Sequence, residues 1–570
     1  MDENQYDVVI IGAGVAGALC ACELKTAKPQ ARILLLEAGA NETGPDQRKA
    51  FVETYQVSAT QPTTAPYEKL ANNKDRYAPS SDGTNDPFVM NTYYVETGPD
   101  LYKSGFQRMV GGSTWAWRGN CPRFLPPDFK VKKNYGKGVD WPLSYNDLEP
   151  YYARAEVELG VSGNRAEWDT PDLTPRTTDF PMAGIAPSYG DELVRTALAT
   201  IPPIDGKPVT VITNPQARNS VEYQGRPACQ GNSSCVPICP SGAKYDGSVH
   251  VKRARDVLGI EMRPGCVATR LVPTAGGGPG PTTVVFKDWT TADRAEQKVT
   301  GTHVVLALGA IETAKLWLLS ELPNDSDQVG RNLMDHLTEE VVGLFGQPLF
   351  PFRGPQTTLS IETFRDGKYR DQTGGFRMTV GNDGWGRTES PAATLDEAMW
   401  DKEAQKVKLF GQPLRDAIEH KVTRMLRFSY STEQLPEPEN RVTLSKEKDA
   451  LDVQRPQIAY RVSDYSKSSL AYGHSVARRI WQHLQDTAGA TDVKPQQPLL
   501  KYKGSGHLMG TMRMGADKST SVVDADGRSH AQPNVWVVGA SVFPTGGTAN
   551  PTLTVAALTL RTAEKLAAAL

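Results

Sequence analysis

The chain has 570 residues, a net charge of −2 and 22% charged residues. That length can bury more than one core, so two domains are expected, and the balanced charge lacks the basic excess that nucleic acid attracts. No apolar run approaches a membrane span, and seven cysteines, three of them clustered, argue against a disulfide framework.

Residues 1–5 are acidic and polar and lead straight into a strand, so neither a signal peptide nor a twin-arginine segment is expected. The chain is expected in the cytoplasm, or in the periplasm by co-export with a partner subunit. Residues 8–11 are a short apolar run, as in a strand buried on both faces. Gly12, Gly14 and Gly17 follow in the G-x-G-x-x-G pattern. The first permits a tight turn, the second lets backbone approach a pyrophosphate, and the third lets the helix pack on its strand. A helix is predicted over 18–25 and a second strand over 33–36, ending at Glu37. A carboxylate there can accept hydrogen bonds from both ribose hydroxyls of an adenosine. Strand, helix and acid together point to dinucleotide binding rather than an ordinary βα turn. The N-terminal position leans toward FAD, although the motif alone does not separate FAD from NAD.

Residues 41–103 are rich in Gly, Pro, Asn and Asp and read as loop with short helices. Gly111, Gly112, Ser113 and Thr114 leave backbone N–H groups free to meet a ligand. Trp115 and Trp117 either wall in a planar ring or pack beside a tight turn. Over 141–163, Ser144 can cap a helix, Pro150 fits its early turn and Gly160 fits its stop; its charged residues predict a surface helix. Residues 167–189 read as Pro-rich loop.

Cys229, Cys235 and Cys239 are spaced C-x5-C-x3-C, and Pro240 follows. Turn-forming residues between them let three thiolates converge, an arrangement that iron–sulfur clusters use. Three thiolates suit a three-iron cluster; Cys121 and Cys266 remain open as a fourth ligand. Zinc would want a fourth ligand, and no histidine lies inside the loop. Structural cysteines are the remaining alternative.

A helix is predicted over 246–257, strands over 262–272 and 282–287 around an AGGGPGP turn, and a strand–turn–helix return to the first sheet over 303–319. Residues 330–336, GRNLMDH, read as a turn-rich link. From 340 to 500, short alternating runs (357–364, 375–380) suggest antiparallel strands, and 413–422 and 467–485 suggest helices, giving a sheet covered on one face. At the C-terminal end, His507 lies in GSGHLMGTMRMG, a strand is predicted over 534–540, and a Gly-rich turn reaches Asn550 before a helix begins at Pro551. A lone histidine is more often structural. A histidine and an asparagine returning to one dinucleotide site shift that reading.

Together these segments resemble the glucose–methanol–choline (GMC) oxidoreductases, over nearly the whole chain. The most specific parts are the N-terminal fingerprint, GGST at 111–114 and GTANPTLTVAALTLR at 547–561. Within the family the chain is most similar to catalytic subunits of bacterial FAD-dependent sugar dehydrogenases, through 215–247, YGKGVDWPLSYNDLEPYY and VGRNLMDH. The resemblance implies an α/β fold, with a Rossmann-like FAD-binding domain over 1–125, 225–338 and 501–570. It implies a second, α+β substrate domain on an antiparallel sheet over 126–224 and 339–500. It implies FAD rather than NAD, held along Gly12, Gly14, Gly17, Glu37 and Gly111 to Thr114, by the backbone of Val267, and at Asn550 and Thr552. It implies His507 as catalytic base with Asn550 as partner, and a [3Fe-4S] cluster on Cys229, Cys235 and Cys239. Several relatives carry a histidine where this chain has Ala116, so FAD is expected to be bound non-covalently. The expected reaction oxidises an alcohol carbon of a sugar or polyol by proton abstraction and hydride transfer to flavin N5. Electrons are then expected to pass through the cluster to an external acceptor such as a cytochrome c subunit, with a small export subunit as a further partner. The alternatives are an oxygen-using sugar oxidase, or another alcohol-oxidising relative, with structural cysteines.

Overall fold

The run at 8–11 is the buried end of a longer strand, β1 (Gln5–Ile11). The structure is a computed structural model and describes residues 4–40, 48, 49, 52, 93–102, 104–236, 238–274, 280–385, 391–401 and 404–570. The loop expected over 41–103 and the AGGGPGP turn lie largely outside the described residues. After β1 come α1 (Val15–Ala27), β2 (Ile33–Leu36), α2 (Tyr145–Leu159), β3 (Val211–Thr213) and α3 (Ser248–Lys252). Next are β4 (Glu261–Arg263), β5 (Cys266–Pro273), β6 (Thr282–Asp288), β7 (Glu296–Leu306) and α4 (Gly309–Leu319). Then follow β8 (Leu337–Leu344), β9 (Thr357–Ile361), β10 (Phe376–Gly381), α5 (Gly411–Arg424), β11 (Met425–Thr432) and α6 (Asp464–Ala488). The chain closes with β12 (Thr491–Lys494), β13 (Val535–Val537) and α7 (Thr552–Ala569).

The first sheet runs β4-β2-β1-β7-β6-β5, with β13 also on β7. Its β4, β2, β1, β7 and β13 are mutually parallel, and β6 and β5 return antiparallel. A parallel core covered by helices accounts for the unbroken apolar runs of β1 and β2. The single strand expected over 262–272 is two, because Pro264 offers no N–H and Gly265 turns through φ +74° to donate to Gly39 O at 2.9 Å. The helix expected over 246–257 is α3 continued by one π-helical segment, Arg253–Val257.

The second sheet runs β12-β8-β11-β10-β9-β3, antiparallel throughout. Helix α6 covers it. It is capped by Ser463, stopped by left-handed Gly489 and anchored by Trp481, whose Nε1 donates to Val341 O at 3.1 Å. Expectation and structure differ at α2. Ser144 does cap it and Gly160 does end it, but two of its carboxylates point inward. Arg123 reaches Glu156 at 2.9 Å and Glu149 at 3.0 Å, and Arg176 also holds Glu156. Charges read as solvent-facing are a buried ion cluster because their partners lie elsewhere in the chain. Helix α7 starts at Thr552, with Pro551 just before it, where the missing N–H has no helical partner to lose. Among the described residues no helix is long and apolar enough to cross a membrane.

Candidate active site and cysteine loop

The fingerprint turns as its glycines require. Gly12 has φ +105°, and a Cβ there would lie 2.6 Å from Ala307 O; a Cβ on Gly17 would lie 1.8 Å from Gly12 O. Helix α1 can start against β1 only with hydrogen at both positions. The GGST turn is brought onto this loop. Gly111 N donates to Ala13 O at 3.0 Å, and a Cβ on Gly112 would sit 2.9 Å from the Gly14 Cα. Residues Gly112–Ala116 form one 3₁₀ turn. Thr114 Oγ1 donates to Gly111 O and accepts from Gly247 N, while exposed Ser113 accepts from Gln107 N through Oγ.

Glu37 ends β2 buried, its two oxygens each 2.6 Å from a backbone donor, Ala13 N and Gly39 N. Burial pushes its pKa up to about 7, against the pull of those N–H groups. Val267 lies beside it: Cys266 N donates to Glu37 O, and Val267 packs near Ala38. The structure therefore gathers Gly12, Gly14, Gly17, Glu37, Val267 and Gly111 to Thr114 along one edge of the first sheet. Trp115 and Trp117 take the packing role. Their indole N–H groups donate to Val110 O and Tyr245 O, and Trp115 is buried with Met109 and Ile238 of the cysteine loop.

His507 and Asn550 meet. Asn550 Nδ2 lies 3.3 Å from His507 Nε2. Arg377 Nη1 donates to Asn550 Oδ1 at 2.6 Å, which turns the amide's N–H side toward the imidazole. Arg377 is itself neutralised by Glu362 at 2.7 Å. On its other side, His507 Nδ1 lies 2.9 Å from His336 Nδ1, and His336 Nε2 lies 3.0 Å from Gly547 O. A carbonyl only accepts, so His336 carries its proton on Nε2 and offers a lone pair at Nδ1. His507 must then donate from Nδ1, which leaves its Nε2 lone pair facing the site. Burial holds His507 well below the usual imidazole pKa, and the neighbouring His336 and Arg377 act in the same direction. Asp335 fixes both backbones: it accepts from His336 N at 2.7 Å, Ser505 N at 3.1 Å and His507 N at 2.9 Å, and from Ser104 Oγ and Tyr502 OH.

His336, Asp335 and Arg377 were missed by sequence reasoning. GRNLMDH was read as a link, and its histidine was the available signal. Arg377 stood in the apolar alternation of β10, where a buried charge needs a polar reason. Thr552 lies at the start of α7, two residues beyond Asn550 and partly exposed.

The cysteine loop lies between the GGST turn and the second sheet. Gln356 N faces Cys235 Sγ at 3.5 Å, Val236 N donates to Gln356 Oε1, and Ser233 Oγ donates to Asn382 O. Lys244 Nζ donates to Trp115 O, Trp117 O and Cys235 O. Cys235 and Cys239 are buried and Cys229 is partly so. Among the described residues no group of three histidine, cysteine or carboxylate side chains is placed to grip a single metal ion. The surroundings nevertheless suit a cluster of sulfur ligands. Arg218 Nη2 donates to Cys235 Sγ at 2.7 Å, and its buried Nη1 has no hydrogen-bond partner among the described residues. Gly231 N faces Cys229 Sγ at 3.4 Å. Cys121 and Cys266 are buried and stand apart from this loop, Cys121 N on Pro215 O and Cys266 at the start of β5.

Two family models, each described as GMC oxidoreductase, match residues 214–338 and 436–559. The chain is 33% identical to the fructose dehydrogenase large subunit of Gluconobacter japonicus, over 98% of this chain and 97% of that one. It is 28% identical to paromamine 6'-oxidase of Streptomyces fradiae, over 99% and 92%, and 26% identical to 2-methyl-1,2-propanediol dehydrogenase of Mycolicibacterium austroafricanum, over 98% and 94%. Among solved structures, pyridoxine 4-oxidase from Mesorbium loti superposes with a TM-score of 0.62 at 18% identity, covering 98% of this chain and 99% of that one. Formate oxidase superposes at 0.64 and 17%, covering 100% and 99%.

Proposed function

Because this chain belongs to the GMC oxidoreductase family, as an FAD-dependent enzyme acting on CH–OH groups, we propose that it oxidises a carbinol of a sugar or polyol to a carbonyl. The observation that carries this reading is the proton order from Gly547 O through His336 to His507, which leaves a neutral Nε2 lone pair beside the Asn550 amide. A substrate hydroxyl entering between them donates its proton to His507 Nε2 and accepts from Asn550 Nδ2. The amide then stabilises the oxygen as negative charge develops on it.

FAD supplies the acceptor for the carbinol hydride when bound. The residues that would hold it are the Gly12 to Gly17 loop, Glu37 at the ribose, the Val267 backbone, Gly111 to Thr114, and Asn550 with Thr552 at the start of α7. Ala116 offers no imidazole for a covalent link at that point, which supports non-covalent binding unless another residue attaches the flavin. Cys229, Cys235 and Cys239 would hold a [3Fe-4S] cluster, which supplies a one-electron relay toward an external acceptor, a cytochrome c subunit in our reading. The sulfur donor set, and the buried Arg218 with its unused Nη1, support that assignment. Similarity to a protein named as a large subunit supports a multi-subunit enzyme; a small partner and co-export with it are part of our reading.

The test is anaerobic bleaching of the flavin by a panel of sugars and polyols. His507→Ala should slow bleaching by about 10²- to 10⁴-fold; fast bleaching in that variant removes the base assignment. Relatives named as oxidases support a second reading, direct reaction with oxygen. Stoichiometric peroxide from an iron-free protein would establish it.

A further inference from the structure

The loop carrying Cys229, Cys235 and Cys239 closes over two cations that are not ion-paired with a carboxylate; Asp246 acts on Lys244 from a distance and is itself paired with Arg48. Arg218 and Lys244 are each 1% exposed. Neither has a carboxylate within ion-pair distance among the described residues. Lys244 Nζ spends its donors on three carbonyls, at 2.9, 2.6 and 2.7 Å. Arg218 Nη2 reaches Arg118 O at 3.0 Å and Cys235 Sγ at 2.7 Å, and buried Nη1 has no hydrogen-bond partner among the described residues. Most other buried arginines are treated differently, the exception being Arg226 beside the same loop, which donates to Ala243 O and Leu159 O. Arg123 holds Glu156, Arg365 and Arg377 hold Glu362, and Arg370 holds Glu433. Unbalanced charge in a protein interior is strongly disfavoured, so two such cations around three thiols call for an anion centred on the sulfurs.

We propose that Arg218 and Lys244 form a cationic cradle that retains an iron–sulfur cluster on Cys229, Cys235 and Cys239 and raises its reduction potential. This rests on the cluster assignment above. Taking up one electron adds one negative charge to the cluster. Two fixed cations and an N–H···S hydrogen bond favour the reduced form over the oxidised one. The same contacts tie the loop to the flavin-side turn, because Lys244 is held by the carbonyls of Trp115 and Trp117, directly after Thr114.

The experiment uses the full chain purified anaerobically, with iron and acid-labile sulfide analysis and a redox titration followed by electron paramagnetic resonance. Bound flavin serves as the control for folding. The variants are Arg218→Gln, Arg218→Lys and Lys244→Gln. In Arg218→Gln and Lys244→Gln, the oxidised-to-reduced ratio at the parent's midpoint should rise at least tenfold, a downward shift of about 59 mV for one electron. Arg218→Lys keeps the charge and should shift less. Loss of iron from flavin-loaded Arg218→Gln, with iron kept in Arg218→Lys, also supports the cradle. Parent-like iron content and potential in both neutral variants would overturn it while leaving the cluster itself standing. If Arg218→Gln does not fold, an unshifted Lys244→Gln overturns it alone. A parent protein without iron and sulfide would instead remove the cluster assignment, and the cradle with it.

Discussion

Replacing His336 tests the proton order at the active site. In His336→Leu, His507 Nδ1–H loses the acceptor 2.9 Å away, and Gly547 O loses its donor. A hydrogen bond of this kind contributes about 0.5–1.5 kcal/mol, and a buried donor left unpaired costs about 1–3 kcal/mol. The imidazole escapes that cost by moving its proton to Nε2, which removes the base. Restoring the productive tautomer therefore takes about 1–3 kcal/mol, or roughly 5- to 150-fold in the rate of flavin reduction. That is less than the loss expected for His507→Ala. The effect should fall on kcat with KM little changed, since His336 is buried with both ring nitrogens spent on His507 and Gly547 O. His336 also helps to hold the His507 pKa down. Without it that pKa rises toward the ordinary value, so the acid limb of kcat/KM moves to higher pH. His336→Asn should recover part of the rate, because its Oδ1 can accept from His507 while its Nδ2 donates to Gly547 O. Stopped-flow bleaching under nitrogen from pH 5 to 8 measures all of this. A leucine variant with the parent's rate and the parent's acid limb would refute the argument.

Further consequences follow for folding and cofactor retention. Gly17→Ala places a Cβ 1.8 Å from Gly12 O and should yield protein without retained FAD, read from the visible spectrum; a full complement of flavin would contradict the close packing of α1 on β1. Arg123→Met leaves Glu149 and Glu156 short of a buried partner and should destabilise by about 3–5 kcal/mol in denaturant unfolding; a loss below about 1 kcal/mol would mean that Arg176 suffices. Burial holds His336 and His507 below the usual imidazole pKa. At these two sites the unfolded chain binds more protons as pH falls below about 6.5, so their contribution is full above that value and declines beneath it, while Glu37, pushed up to about 7, acts in the opposite sense. In Glu37→Gln the melting temperature should therefore fall from pH 7.5 to 5.5, and an unchanged one would contradict this.

The two sheets were legible because their signals are local. The apolar runs of β1 and β2, the glycines between them and Glu37 are fixed by nearest neighbours, and the structure places each where spacing put it. What escaped is made of pairs distant in sequence. Glu149 and Glu156 look like a wetted helix face until Arg123 and Arg176 are brought to them. His336 is unremarkable in GRNLMDH, since its meaning comes from His507, 171 positions away, and from the Gly547 carbonyl. Arg218 and Lys244 lie undistinguished within the 215–247 segment, because an unbalanced charge becomes visible only once the interior around it is known. His507 and Asn550 stand out in the sequence because each lies in a Gly-rich segment next to an element that returns to the first sheet, and the structure brings them within 3.3 Å of each other.

In the proposed reaction the proton that His507 takes from substrate would create a cation in a site that keeps that imidazole neutral, with Arg377 on one side and no carboxylate among its influences. His336 is better placed to carry the charge. The carbonyls of Gly547 and Gly546 and the carboxylates of Asp335 and Asp128 all favour its protonated form, even though burial keeps its resting pKa low. With Nε2 of His507 newly protonated, the proton between the two Nδ1 atoms can shift to His336 and move the positive charge toward Asp335. His336 thus does two things: it selects the tautomer before the reaction and shares the charge after proton transfer. Asparagine can reproduce the first and not the second. Recovery by His336→Asn should therefore stop short of the parent rate even where its geometry is faithful, and the size of that remaining deficit measures how much of the charge His336 carries.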